Sequence, residues 1–363
     1  MGISGTLLVA PAVIAGVLVS VPAGASSAAG DRAPAVLPLL TYVASNGGIC
    51  LVRADGSHAV RLTPRWRVGG PAWSPSGHYV AFARGTGADG SKIVVADARG
   101  RIRWRFGVAQ YNGGPLWSPD GRYIAYFGSW AHVYGLAVAR MDGSADRGVA
   151  ASPAFPSYGP ADPAWVPGKQ QLAFDDGNFV DTPQGIFTVA PDGSGRRLLV
   201  ADARQPVFSP DGSKLAYVAF HNWQLGDLLV ADADGDNARP LAAQSGNVSW
   251  GTPAWSPDGT RLAFTQQTLL YGRTVRTDLI IEAADGGGTR VLTSLSAPAA
   301  LSNPVWSPDG RFVAFLRYPS RAVVVARIDN GGLRVVVAHS NGLPSWRPLA
   351  RLPAARRRPC PPR

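Results

Sequence analysis

The chain has 363 residues, 46% hydrophobic and only 16% charged, so it can bury a large core and is not a disordered polyelectrolyte. Its 43 glycines and 31 prolines, with no sustained helical periodicity after the N-terminal segment, exclude a helical bundle and point to short strands joined by turns. Arginine supplies all but three of the 35 basic residues behind the formal net charge of +11; an anionic partner, or coding bias plus a basic tail, accounts for this, and without a basic helix or an aromatic–basic strand pattern nucleic-acid binding is not expected.

In chain order, the first segment is apolar from Ile3 to Val21 and ends in the small residues Ala23-Gly24-Ala25. This predicts a signal peptide over 1–25 and export, although the leader carries no Lys or Arg. An uncleaved anchor is the alternative, weakened by Pro11 and Pro22. If the leader is cleaved, no stable membrane span remains. A linker over 26–38 follows.

TYVAS, GICLVRA and AVRLT then read as three strands without a preceding partner. Six longer units begin at Trp73, Trp117, Trp165, Phe208, Trp255 and Trp306, each aromatic closing a P-x-[WF] element, and Trp346 in LPSWRP begins a seventh that is not continued. Successive aromatics are 40 to 51 residues apart, the spacing of propeller blades. In W-S-P-D-G the proline presets φ for the second turn position and the glycine accepts the positive φ that closes the hairpin. The indole is large and flat enough to fill the seam between neighbouring sheets, which must bury both faces.

A second turn, written Asp55-Gly56, Arg99-Gly100, Asp142-Gly143, Asp192-Gly193, Asp234-Gly235, Asp285-Gly286 and Asn330-Gly331, recurs in step with the first. The expected fold is all-β: a seven-bladed β-propeller of four-stranded antiparallel blades over 39–348, its closing blade built from both chain ends, with a basic Arg/Pro-rich tail over 349–363. Six blades with untidy ends is the alternative.

The repeated W-S-P-D-G…[IVL]-A-[FY] unit, for example in PAWSPDGTRLAF, resembles the WD-repeat-like element of TolB-type β-propellers over nearly the whole mature chain. The resemblance implies the propeller part alone, since too few residues separate the expected cleavage site from the first strand to hold TolB's N-terminal α/β domain. The same repeat occurs in the propeller halves of prolyl oligopeptidase-like enzymes, so it implies fold more than function.

Catalytic and metal signatures are missing. There is no G-x-S-x-G elbow, and His58, His78, His132, His221 and His339 fall in different repeats without H-E-x-x-H or H-x-H spacing. DADGDN, 232–237, has glycine at the wrong place for a calcium loop and reads as a repeat turn. No cofactor, metal or catalytic residue is expected, and enzymatic activity is left uncertain. Cys50, in a strand of the closing blade, and Cys360, 14 residues past Trp346, form a disulfide that locks the ring or remain a buried thiol and a tail thiol.

The S-P-D-G and D-G turns lie on one face of the disc; the connections between second and third strands, and between blades, lie on the other. The second set varies and predicts the ligand face: Trp130, His132, Tyr134, Asp176, Phe179, Asp181, His221, Trp223, Trp250, Gln267, Tyr271 and Arg273. The expected protein is a monomeric, non-enzymatic binding module for a protein or a cell-envelope polymer. The rival is a lyase- or hydrolase-type propeller enzyme working on a carbohydrate or small molecule at the funnel through Asp176, Asp181 and His221.

Overall fold

The computed structural model describes residues 36–348 apart from 86–89, 131–132, 153–160, 177–183, 222–223 and 243–246, together with Cys360. Contacts divide the chain into Met1–Val36 and Leu37–Arg363. The second unit is a seven-bladed β-propeller, and the described residues contain no helix. No described helix is long and apolar enough to cross a membrane.

Blade 1 runs outward through Val68–Trp73, Tyr79–Gly85, Ser91–Asp97 and Ile102–Phe106, and the pattern repeats in blades 2 to 6. Blade 7 takes Leu39–Val43, Ile49–Arg53 and Val60–Arg61 from the front of the chain and its innermost strand, Ser345–Trp346, from the back. Leu40 pairs with Trp346 and Thr41 with Ser345, so the ring closes by strand pairing and leaves no blade short of its inner strand.

Each seam between neighbouring blades holds its own apolar cluster, seven in all. Strand alternation feeds two seams at once: Leu172 and Phe174 face blade 2 while Ala173 faces blade 4. The inner-strand tryptophans, all under 10% exposed, also bond across the seams. Trp117 donates its indole N–H to Ala72 O at 3.0 Å, Trp165 to Leu116 O at 3.1 Å, Trp255 to Val207 O at 2.9 Å, Trp306 to Ala254 O at 2.9 Å and Trp346 to Val305 O at 3.0 Å. Trp73 donates to the Thr41 hydroxyl, which passes a bond to Ser345 O at 2.8 Å, so the two-ended blade keeps the scheme through one relay. The Phe208 side chain has no N–H, and the seam between blades 3 and 4 lacks this tie.

The S-P-D-G turns are self-contained. Ser256 Oγ donates to Asp258 at 2.5 Å and accepts from Arg261 N at 2.9 Å, and the Ser118, Ser209 and Ser307 turns repeat both bonds. Gly212 shows why the turn needs glycine: φ is +73° and a Cβ would sit 2.6 Å from Pro167 O of the previous blade. DADGDN is the D-G hairpin between the third and fourth strands of blade 4, with Asn237 Nδ2 donating to Asp232 at 2.6 Å. Arg347, 2% exposed, clamps the closure by donating from Nε and Nη2 to Gly77 O while lying over the Trp73 ring. Cys50 and Cys360 form a disulfide spanning 310 residues of sequence, with Cys360 N donating to Ala59 O.

Candidate functional site

The two ends of the disc differ in construction. One carries the short hydrogen-bonded turns. The other carries the connections that vary from blade to blade, among them the hairpin of Arg261–Leu270 and Arg273–Ala283, whose strands of 10 and 11 residues are the longest described. Its tip residue Tyr271 is 96% exposed, with Leu270 half-exposed beside it.

Of the residues expected on this face, His132, Phe179, Asp181 and Trp223 lie outside the described residues. Trp130 and His221 are placed by backbone alone, ending Tyr123–Trp130 and Lys214–His221. Tyr134 is exposed, Gln267 accepts a bond from the Thr274 hydroxyl at 3.2 Å, and Arg273 opens the long hairpin's second strand. Asp176 is buried and paired with Arg196 at 2.7 Å, whose guanidinium also covers the Phe187 ring.

Trp250 corrects the expectation. It is 6% exposed, donates to Gly226 O at 3.1 Å and meets the Phe264 ring edge-on, so it is a core residue. The inner strand of blade 5 is split into Val248–Trp250 and Ala254–Trp255, and the first piece turns its own indole inward.

Where blades 3 and 4 meet, the face brings buried carboxyls close together. Asp162 and Gln205 stand immediately before the prolines of the inner strands, where blades 1 and 2 have Gly70 and Gly114. All four adopt positive φ, +41° at Asp162 and +57° at Gln205, a conformation disfavoured for residues bearing a side chain. Asp175, 6% exposed, is the last residue but one of the neighbouring strand Leu172–Asp176. Burial first, then the charge of Asp162, pushes its carboxyl up to about 7 against the pull of Arg204. Burial raises Asp162 as well, again opposed by Arg204. Among the described residues, Asp175 Oδ1, Asp176 Oδ1 and Gln205 Oε1 are buried without a hydrogen-bond partner. Arg204 lies over the Phe220 ring at 4.4 Å. The non-glycine residues at the P-x-W glycine position were the sequence signal for Asp162 and Gln205; their meeting with Asp175 was not visible there.

Two concavities lie on the opposite, short-turn face between blades 2 and 3. One, of about 180 Å³, is lined by residues including Asp120, Tyr123 and Lys169, and the other, of about 520 Å³, by Arg122, Arg140 and Asp142 among others. They are gaps between successive stereotyped turns, whereas Asp162, Asp175 and Gln205, which combine positive φ, burial and unpartnered oxygens in one place, sit at the variable face, which is therefore the candidate site. No described group of three or more His, Cys, Asp or Glu residues could hold a metal ion.

No protein-family model matches the chain. The Tol-Pal system protein TolB of Anaeromyxobacter dehalogenans is 34% identical over 125 residues, 33% of this chain and 26% of that protein. The uncharacterized peptidase YuxL of Bacillus subtilis is 31% identical over 121 residues, 31% of this chain and 17% of that protein. The chain thus spans about a quarter or less of the length of these curated relatives. Among solved structures, an oligogalacturonate lyase in complex with manganese aligns with a TM-score of 0.59 at 17% identity over 84% of this chain and 85% of that one. A putative TolB from Agrobacterium tumefaciens aligns at 0.52 and 17% identity over 78% and 98%. At such identities these likenesses concern the fold alone. Fold and repeat together define a seven-bladed propeller of the W-S-P-D-G type. The chain is a TolB-like β-propeller.

Proposed function

We propose that this chain is an exported, monomeric, non-enzymatic propeller that binds a protein or a cell-envelope polymer through its variable face. The observation that carries the reading is the asymmetry of the disc: repeated, internally bonded turns on one side, and on the other a long hairpin with Tyr271 almost fully exposed. Aromatic and amide groups on a rigid scaffold suit such contacts. The Cys50–Cys360 disulfide supports an oxidising compartment, and the apolar leader, cleaved near Ala25, supports export. Similarity to TolB, a protein of the Tol-Pal system, agrees with a role alongside other proteins.

The test is capture from envelope extracts with purified protein. A specific partner, lost when Trp223→Ala and Tyr271→Ala are combined, is the expected result; capture unchanged by the pair, or no capture at all, overturns the reading. One observation favours the enzymatic alternative: a buried carboxyl near 7 at Asp175, the range that suits general acid–base work on a carbohydrate or small molecule. Turnover of such a substrate, abolished by Asp175→Asn, would establish it.

A further inference from the structure

The side of the variable face across the ring from Asp162 and Asp175 has the opposite charge. The connection from the closing blade to blade 1 reads T-P-R-W-R-V, 63–68. Arg65 and Arg67 are exposed on either side of Trp66. The Arg84 guanidinium lies 4.1 Å from the centre of the Trp66 ring, and Arg61 donates to Gly47 O at 2.7 Å and to Asn46 at 2.9 Å. Burial, and then repulsion from Arg65, lowers the Arg61 guanidinium, as expected of two cations close together. None of these four arginines takes part in an ion pair among the described residues.

Trp66, like Trp104 on the outer strand of blade 1, departs from the inner-strand tryptophans. The six inner-strand indoles and Trp250 are buried and donate to groups within the propeller. Trp66 is only half-buried and contributes no indole hydrogen bond to the described residues. The indole packs against the seam cluster and carries Arg84, yet part of it stays open beside guanidiniums that no described carboxylate pairs, and like charges held together repel.

We infer that Trp66 with Arg61, Arg65, Arg67 and Arg84 forms a contact site for a polyanionic glycan, a sugar ring stacking on the indole while the arginines pair with its anionic groups. Guanidinium forks match carboxylates and phosphates alike, so the charge is a uronate-type carboxylate or a backbone phosphodiester. The inference deepens the binding reading above by naming the partner's chemistry on that same face.

Binding of the full chain to polygalacturonate, to a poly(glycerol phosphate) polymer, to neutral dextran and to single-stranded DNA of matched charge tests it. The expected result is binding to one of the two anionic glycans in preference to dextran and DNA, weakening with salt. Arg65→Ser with Arg67→Ser, and separately Trp66→Ala, are expected to weaken it by about tenfold or more each, with the unfolding midpoint unchanged. Failure to bind either glycan, equal binding by the variants, or equal binding of DNA with no effect of Trp66→Ala overturns the inference. If envelope capture survives the arginine substitutions, this site fails and the broader reading stands; if the wild type captures nothing, the broader reading fails.

Discussion

Replacing Asp175 with Asn removes a carboxyl that the fold disfavours in its charged form. Its folded value near 7, against 3.8 for an ordinary Asp, means that ionisation is harder in the native state than in the unfolded chain. Below about pH 4 the group is protonated in both states and has no effect; between about 4 and 7 the unfolded chain ionises first and stability falls; above about 7 the penalty is constant. The difference of about three pH units corresponds to a ceiling of about 4 kcal/mol, most of it from burial and part from the neighbouring charge of Asp162. Asparagine has its own burial cost, present at both ends of the range, so the informative quantity is the change in the variant's relative stability with pH. Denaturant unfolding of both proteins at about pH 4 and about pH 8 measures it. The variant is expected to gain on the wild type by about 2–4 kcal/mol between the two conditions. A pH-independent difference, or a relative gain by the wild type at high pH, would refute the account of the seam.

Reduction of the disulfide, or Cys50→Ser, is expected to lower the thermal unfolding midpoint clearly, since a cross-link over 310 residues is worth up to about 5–6 kcal/mol of chain entropy; two alkylatable thiols in unreduced native protein would contradict it. Arg347→Ala should cost about 2–4 kcal/mol in denaturant unfolding, because Gly77 O loses its donor and the Trp73 face is uncovered; a loss below about 0.5 kcal/mol would mean the clamp is idle. Trp255→Phe should cost about 1–2 kcal/mol while leaving the fold intact, since Phe208 already fills the equivalent place in blade 4; collapse of the native circular dichroism would show that the indole does more than tie one carbonyl.

Blade number, the inner-strand aromatics and the two-ended closure were legible in the sequence because each blade solves the same burial problem with the same local devices. Turn glycines, alternating strands and one large aromatic per inner strand act within a few residues of one another, so repetition exposes them. Trp250 shows the limit of that reading: an aromatic outside the repeat looked like a surface residue, but the split inner strand of blade 5 turns it into the seam. The pairing of Cys50 with Cys360 was open until the tail's return to Ala59 placed the two Cα atoms 6.4 Å apart. The candidate site belongs to the same category. Asp162 and Asp175 are 13 residues apart, Arg204 and Gln205 come from the next blade, and Trp66 gains Arg84 from a neighbouring strand. The sequence by itself determined the ring, since hydrogen bonding and burial within one blade are local. Only the tertiary structure decided which charges face one another across the funnel, because a carboxyl's burial and an arginine's neighbours depend on how successive blades are set side by side.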